Sequence, residues 1–367
     1  MDLWAQVKTW MVLHVILGYI FVTSGLIICF LMLLAYLFMW PFSQRLYRKI
    51  VINLAYAHWC QLTFLAQWWA GCECSVYLEN ADDEKFIGKE HTIVLMNHKY
   101  DIDWLMTWLL AERWSMLGGT KIYGKSSLKM VPLIGWAWMF TESIFLKREW
   151  EEDKRIIMHD LKYLMEYPAN YWVTLLLFCE GTRFTETKRQ ASMAVARQKG
   201  LPELKHHLLP RTRGFVLTMN GVKGKFDSVL DLTIGFREDS APAHLMSVIY
   251  GRPCKADIYV RRIPLDKIPT DTDENCSQWL HKLYQEKDEI FEHYVQNGGY
   301  KIGHRVMPRR RLCDLVVWGC WAVTLCVPLF YYLGTIFLSG SLLLQLACVA
   351  LIIIGRWQHK ERKYVGS

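Results

Sequence analysis

The sequence predicts an α/β fold, a largely parallel sheet flanked by helices, with membrane segments toward the two ends of the chain. Between about residues 73 and 264, short apolar runs alternate with amphipathic stretches, as they do where strands and helices follow one another. Residues 9–43 contain no Lys, Arg, Asp or Glu, and residues 315–355 contain none either. About 20 apolar residues suffice to cross a bilayer, so both stretches are long enough.

A chain of 367 residues can bury one substantial core and still carry additional segments. Hydrophobic residues make up 52% and aromatic ones 14%, including 17 Trp, a load that suits a membrane interface, where an indole has an apolar body and one wet edge. The net charge of +8, from 43 Lys+Arg against 35 Asp+Glu, attracts phosphates. Beside membrane segments, that favours lipid head groups or coenzymes. No zinc-finger, P-loop or RNA-binding signature is present, so nucleic acid is not an expected partner. Of the 11 cysteines, Cys29, Cys320, Cys326 and Cys348 lie inside apolar runs and read as small hydrophobes. Cys72 and Cys74 have the wrong spacing for a zinc pair and no second pair follows, so no metal site is expected. An odd count without a framework indicates free thiols and a reducing compartment.

Residues 1–45 form the amino-terminal membrane segment. The apolar run exceeds one span, so a tilted helix and a hairpin broken near Gly18 or Ser24-Gly25 are both open. Arg45, Arg48 and Lys49 follow it, against Lys8 alone on the other side, which places the next segment in the cytosol. Residues 46–72 form an interfacial segment in which residues 50–70 are apolar but carry Asn53, His58, Gln61 and Gln67 and close with Trp68-Trp69, the pattern of an amphipathic helix lying on the membrane surface.

Residues 73–300 form the catalytic candidate domain. Strands are expected at 74–78, 92–96, 121–123, 143–146, 172–179, 229–235 and 257–261, and helices at 102–113, 150–166, 187–199 and 276–297. Residues 301–367 read as the end of a linker, which starts at Gly298 and includes Arg309-Arg310-Arg311, followed by a two-span membrane hairpin with Pro328 inside it. The alternative to the hairpin is a single long helix. With Arg356, Lys360, Arg362 and Lys363 beyond it, both ends of the hairpin would face the cytosol.

The stretch Asn97-His98-Lys99-Tyr100-Asp101-Ile102-Asp103 follows the expected strand and opens the expected helix, with Asp101 at the N-cap place. His98 is the one histidine with an aspartate five residues on. If Asp103 folds back to accept one imidazole N–H, the other ring nitrogen is free to take a proton from a hydroxyl. Asp103 could equally be a first-turn carboxylate favoured by the helix dipole. A second stretch, Phe178-Cys179-Glu180-Gly181-Thr182-Arg183-Phe184-Thr185, offers a glycine that admits a ligand and an arginine fork suited to phosphate, or else a plain turn with an exposed arginine. Cys179 could be a nucleophile, but no motif pairs a histidine with it. Two further stretches are 124–136 with 142–148, and 208–215.

Taken together, these blocks resemble the glycerolipid acyltransferases of the lysophosphatidate acyltransferase family, and 183–188, 208–215 and 279–287 look most like the animal gamma/delta type. The resemblance implies a glycerolipid-acyltransferase core that moves an acyl group from acyl-CoA, a co-substrate rather than a cofactor, to the hydroxyl of lysophosphatidic acid at the bilayer, giving phosphatidic acid. It implies His98 as general base, Asp103 as its orienting partner, Arg148 and Glu180-Gly181-Thr182-Arg183 on the acceptor's phosphate, and Pro210 shaping the late block. It further implies a multi-pass protein of the endoplasmic reticulum membrane, extending to Golgi or nuclear envelope, with a cytosolic active site. A lysophosphatidylinositol or lysocardiolipin acyltransferase is the nearest alternative, and a non-catalytic lipid-binding scaffold a more distant one. The chain departs from the family pattern at Glu142, where glycine is usual, and at Lys147, where aspartate is usual. Asp101 is a rival carboxylate to Asp103.

Overall fold

The computed structural model describes residues 6–168, 171–339 and 346. Its first element, α1 (Met11–Phe38), is one unbroken helix, so the hairpin alternative falls. Ser24 stays helical because its Oγ donates back to the Ile20 carbonyl at 2.6 Å and meets Gln61 Oε1 at 3.1 Å. Gly25 serves close packing instead: a Cβ there would lie 2.9 Å from His58 Cε1. The globular domain touches α1 along its length, from His14 against Tyr250 to Tyr36 against Phe140.

Helix α2 (Gln44–Phe64) is capped by Ser43 and continues into a π-helical turn, Leu65–Ala70, which Gly71 ends with φ 75°. Its first turns are amphipathic, with Arg45, Leu46, Lys49 and Asn53 exposed. From His58 to Phe64 every residue is buried. The second half of α2 is thus packed inside the protein, while its first turns keep an exposed face. Of the polar residues that suggested a wet face, Asn53 is exposed, but Gln61 binds Ser24, and Gln67 and Trp68, together with Thr63, donate to the Asp314 carboxylate.

The strands are β1 (Glu73–Leu78), β2 (Thr92–Met96), β3 (Thr120–Lys125), β4 (Ile144–Leu146), β5 (Thr174–Leu177), β6 (Ser228–Phe236), β7 (Lys255–Pro264) and β8 (His304–Val306). They form one sheet in the order β4-β3-β5-β2-β6-β7-β1-β8. The steps from β4 to β6 are all parallel, β7 runs antiparallel to β6, β1 is parallel to β7, and β8 is antiparallel to β1. Central β2 is buried throughout, with Val94 and Met96 in one core and Ile93 and Leu95 in the other. Burial on both faces is why its sequence is a continuous apolar run rather than an alternating one.

The helices between strands are α3 (Asp103–Arg113), α4 (Ile134–Phe140), α5 (Trp150–Met165), α6 (Glu186–Gln198), α7 (Thr212–Gly221) and α8 (Leu245–Ile249), followed by α9 (Asp273–Asn297) and α10 (Cys313–Leu338). Three expectations need correction. Asp101 does not cap α3, whose N-cap is Ile102 without a side-chain hydrogen bond. Residues 304–306 are an edge strand rather than linker; three residues are too few to show an alternating pattern. Helices α4, α7 and α8 went unseen, because Trp-rich and Arg-Thr-Arg-Gly openings hide the start signals of the first two and the third is only five residues long.

Helices α1 and α10 are both long and apolar enough to cross a membrane. Pro328 lies inside α10 without ending it. The second span of the expected carboxy-terminal hairpin lies outside the described residues.

Candidate active site

Strands β2, β3, β4 and β5 are adjacent and parallel, so their carboxyl ends share one edge of the sheet. Ligands of open parallel sheets bind at that edge. From it emerge the His98 loop after β2, the 126–133 loop after β3, Arg148 after β4 and the 178–184 loop after β5. Blocks far apart in the chain thereby meet.

His98 Nδ1 lies 3.1 Å from Asp103 Oδ2. The same oxygen accepts the backbone N–H of Lys99 at 2.7 Å and of Tyr100 at 2.8 Å, so one carboxylate both shapes the loop and holds the ring. Asp103 is fully buried, whereas the His98 side chain is 20% exposed, and its Nε2 has no hydrogen-bond partner among the described residues. Burial pushes the Asp103 carboxyl above its ordinary value, and the hydrogen bonds from His98, Tyr100 and Lys99 oppose that shift. The opposite face of the imidazole is covered by Phe178, whose ring stacks at 4.2 Å.

The backbone of His98 is clamped from both sides. Its N–H donates to Glu180 Oε1 at 3.1 Å, and its carbonyl accepts the Phe184 N–H at 2.7 Å. Glu180 Oε2 accepts the Leu208 N–H at 3.1 Å. Glu180 is thus buried between two loops, and burial pushes its carboxyl up to about 8 against those two hydrogen bonds. This departs from the phosphate-contact role that the resemblance implies for Glu180: its carboxylate points inward and joins the box to the late block. Asn97 is a second tie, since its side chain exchanges two hydrogen bonds with the Ile234 backbone at 2.8 and 3.0 Å and so extends the pairing of β2 with β6.

The rival carboxylate is spoken for elsewhere: Asp101 accepts from Leu245 N–H and meets His244 Nδ1. Cys179 is buried and its thiol is pushed up, which removes it as a nucleophile. Pro210 is buried beside Arg211, whose N–H donates to the Cys179 carbonyl. Gly181 takes φ 70°, Thr182 accepts from Lys188 Nζ, and Arg183 is exposed. Arg148 Nη2 reaches the Gly181 carbonyl at 3.3 Å, so the second and third blocks do converge.

The two departures have physical counterparts. Glu142 occupies the usual glycine place with φ 60°, a strain of about 1 kcal/mol for a side-chain-bearing residue. Its carboxylate is gripped by buried Arg48 through Nε and Nη2 at 3.0–3.2 Å, which offsets that strain. Lys147 forms an exposed pair with Glu152, while Asp153 takes the N–H groups of both Lys147 and Arg148 and fixes the turn.

Below the same strands lies an apolar cavity of about 60 Å³ lined by Val94, Trp104, Trp108, Trp138, Leu176 and Leu230, among others.

An exposed-edge histidine oriented by a buried carboxylate, on a domain carrying apolar helices, fits a class of enzyme: residues 77–226 match the family model described as Acyltransferase, and residues 247–321 match Acyltransferase C-terminus. Over 366 residues the chain is 46% identical to 1-acyl-sn-glycerol-3-phosphate acyltransferase gamma of Mus musculus, covering 100% of this chain and 95% of that one. Against the delta protein of Homo sapiens it is 46% identical over 341 residues, 93% of this chain and 88% of that one. The chain belongs to the 1-acyl-sn-glycerol-3-phosphate acyltransferase family.

Proposed function

We propose that this protein acylates the sn-2 hydroxyl of 1-acyl-sn-glycerol 3-phosphate with the acyl group of acyl-CoA, releasing coenzyme A and giving phosphatidate. The observation that carries the reading is the His98–Asp103 pair at the carboxyl edge of the sheet, open on its Nε2 side and beside the turn that Arg148 and Arg183 flank. His98 Nε2 takes the proton from the acceptor hydroxyl as its oxygen attacks the thioester carbonyl. The tetrahedral intermediate collapses with rupture of the C–S bond, and the imidazolium returns the proton to the departing thiolate. Asp103 holds the tautomer and offsets the transient positive charge. Because the thioester is already activated, positioning of the two substrates supplies much of the rate. Arg148 and Arg183 hold the acceptor's phosphate. The protein works in the endoplasmic reticulum membrane, its site on the cytosolic face, where lipid arrives laterally and donor from water.

The test is purified protein in detergent, offered acyl-CoA with a panel of lysophospholipids while coenzyme A release is followed. Lysophosphatidate should be the preferred acceptor. Preference for lysophosphatidylinositol or lysocardiolipin would overturn the substrate assignment, and absence of coenzyme A release with every acceptor would overturn the activity.

A further inference from the structure

Gly181 does more than turn the chain. A Cβ at this position would sit 2.8 Å from Arg211 Nε, 2.9 Å from its Cδ and 3.1 Å from its Cζ, so the bare glycine lets the Arg211 side chain lie across the turn. Arg211 is held there by its own backbone, whose N–H donates to the Cys179 carbonyl at 2.8 Å. From the other side Arg148 Nη2 donates to the Gly181 carbonyl, and Arg183 follows two residues later. Guanidinium groups from two other segments therefore converge on the Gly181 turn, which itself carries Arg183.

Among the described residues no carboxylate forms an ion pair with Arg148, Arg183 or Arg211, whereas Arg189 and Arg197 of the neighbouring α6 pair with Glu186 and Glu203. The acid nearest in sequence, Glu180, is turned inward onto the N–H groups of His98 and Leu208. Arg213 is drawn aside over the Trp150 ring at 5.2 Å. Arg148 and Arg211, uncompensated at one turn and with Arg183 two residues along it, favour an anion with several oxygens.

We propose that Arg211 is a third contact to the phosphate monoester of the acceptor lipid, making this turn a three-arginine site; the inference rests on the acyl-transfer reading given above. A monoester carries about 1.5 to 2 negative charges near pH 7 and presents enough oxygens for several guanidinium groups. A phosphodiester head group carries one charge and a bulky substituent, so it gains less from a third arginine. Arg211 thereby favours the small monoester over larger head groups.

The experiment compares wild type, Arg211→Ala and Arg211→Lys. Loss of a charged hydrogen-bonding partner should raise the KM for lysophosphatidate about tenfold or more in Arg211→Ala and less in Arg211→Lys. The KM for acyl-CoA and the rate with monoacylglycerol, which lacks the phosphate, should stay within about twofold of wild type. A shift confined to the acyl-CoA KM would mean that Arg211 meets the donor's phosphates, and equal loss with monoacylglycerol would mean a structural role; either overturns the proposal. A second measurement needs no turnover: sn-glycerol 3-phosphate should raise the melting temperature of wild type and fail to raise that of Arg211→Ala. Equal stabilisation of both proteins overturns the assignment of Arg211, while inactivity of wild type on lysophosphatidate overturns the acyl-transfer reading by itself.

Discussion

Two of the four histidine–aspartate pairs among the described residues have nearly the same geometry, with the carboxylate also tied to backbone N–H groups, and only one of these two is placed to react. His98 Nδ1 is 3.1 Å from Asp103, and His207 Nδ1 is 2.8 Å from Asp288. Both carboxylates also take two backbone N–H groups, Lys99 and Tyr100 in one case, Lys205 and His206 in the other. The side chain of His98 is 20% exposed, whereas that of His207 is 0% exposed and enclosed by Tyr284 and Phe291. An oriented imidazole is therefore not sufficient for acid–base chemistry. Access for the second nitrogen separates a catalytic candidate from a structural rivet that pins the 205–208 loop to α9.

The strongest way to break this contrast is to remove the open imidazole. His98→Ala should lower kcat by about 10²- to 10⁴-fold while the melting temperature holds, as expected for loss of a general base; comparable turnover in the variant would sink the assignment. Asp103→Asn comes next, with a fall on the order of 10²-fold, because the amide can donate to Nδ1 and favour the wrong tautomer. A normal rate in Asp103→Asn would show that Asp103 only shapes the loop.

Asp288→Ala should act in the opposite register. Removing a buried acceptor of three hydrogen bonds should cost about 3 kcal/mol of stability, read by thermal or denaturant unfolding, with activity per folded molecule changing far less than in His98→Ala. If the two variants lose activity alike, the distinction between the pairs fails. The enclosed pair also makes a pH statement. Burial holds the His207 imidazole below its ordinary value of 6.5, so below that pH the unfolded chain takes up a proton that the folded chain refuses. The stability contribution is present above about pH 6.5 and is lost as pH falls, so melting temperatures between pH 7 and 5 should decline more steeply in wild type than in His207→Asn. Parallel slopes would contradict it.

The smallest effect belongs to an exposed pair, His244 with Asp101. Its side chains are 66% and 36% exposed, so His244→Ala should leave kcat and melting temperature nearly unchanged. A large loss there would mean that the 241–250 segment, through Asp101, also positions the His98 loop.

Much of the fold was legible because burial leaves period and composition in the chain. The run at β2, the amphipathic α5 and the charge-free α1 each announce themselves within one short window. What escaped was short or two-sided: β8 is three residues at an edge, and α2 changes from half-wet to fully enclosed along its length. Of the candidate site, the His98–Asp103 spacing could be read directly, because both residues lie in one loop. Glu180 could not, since its two hydrogen-bond partners are 82 and 28 residues away. Arg211 shows no local sign either; its relation to Gly181 exists only where the two loops cross.

By itself the amino-acid order determined most of the strands, the long helices, which segments are apolar enough for a bilayer, and where an imidazole and an acid could meet. Local patterns settle those matters because propensity, hydrophobic period and charge act over a few residues. The tertiary structure alone decided which aspartate faces His98, which histidine can be reached, and which of the basic side chains gather around Gly181. Those outcomes depend on the order of strands in the sheet and on burial by distant residues.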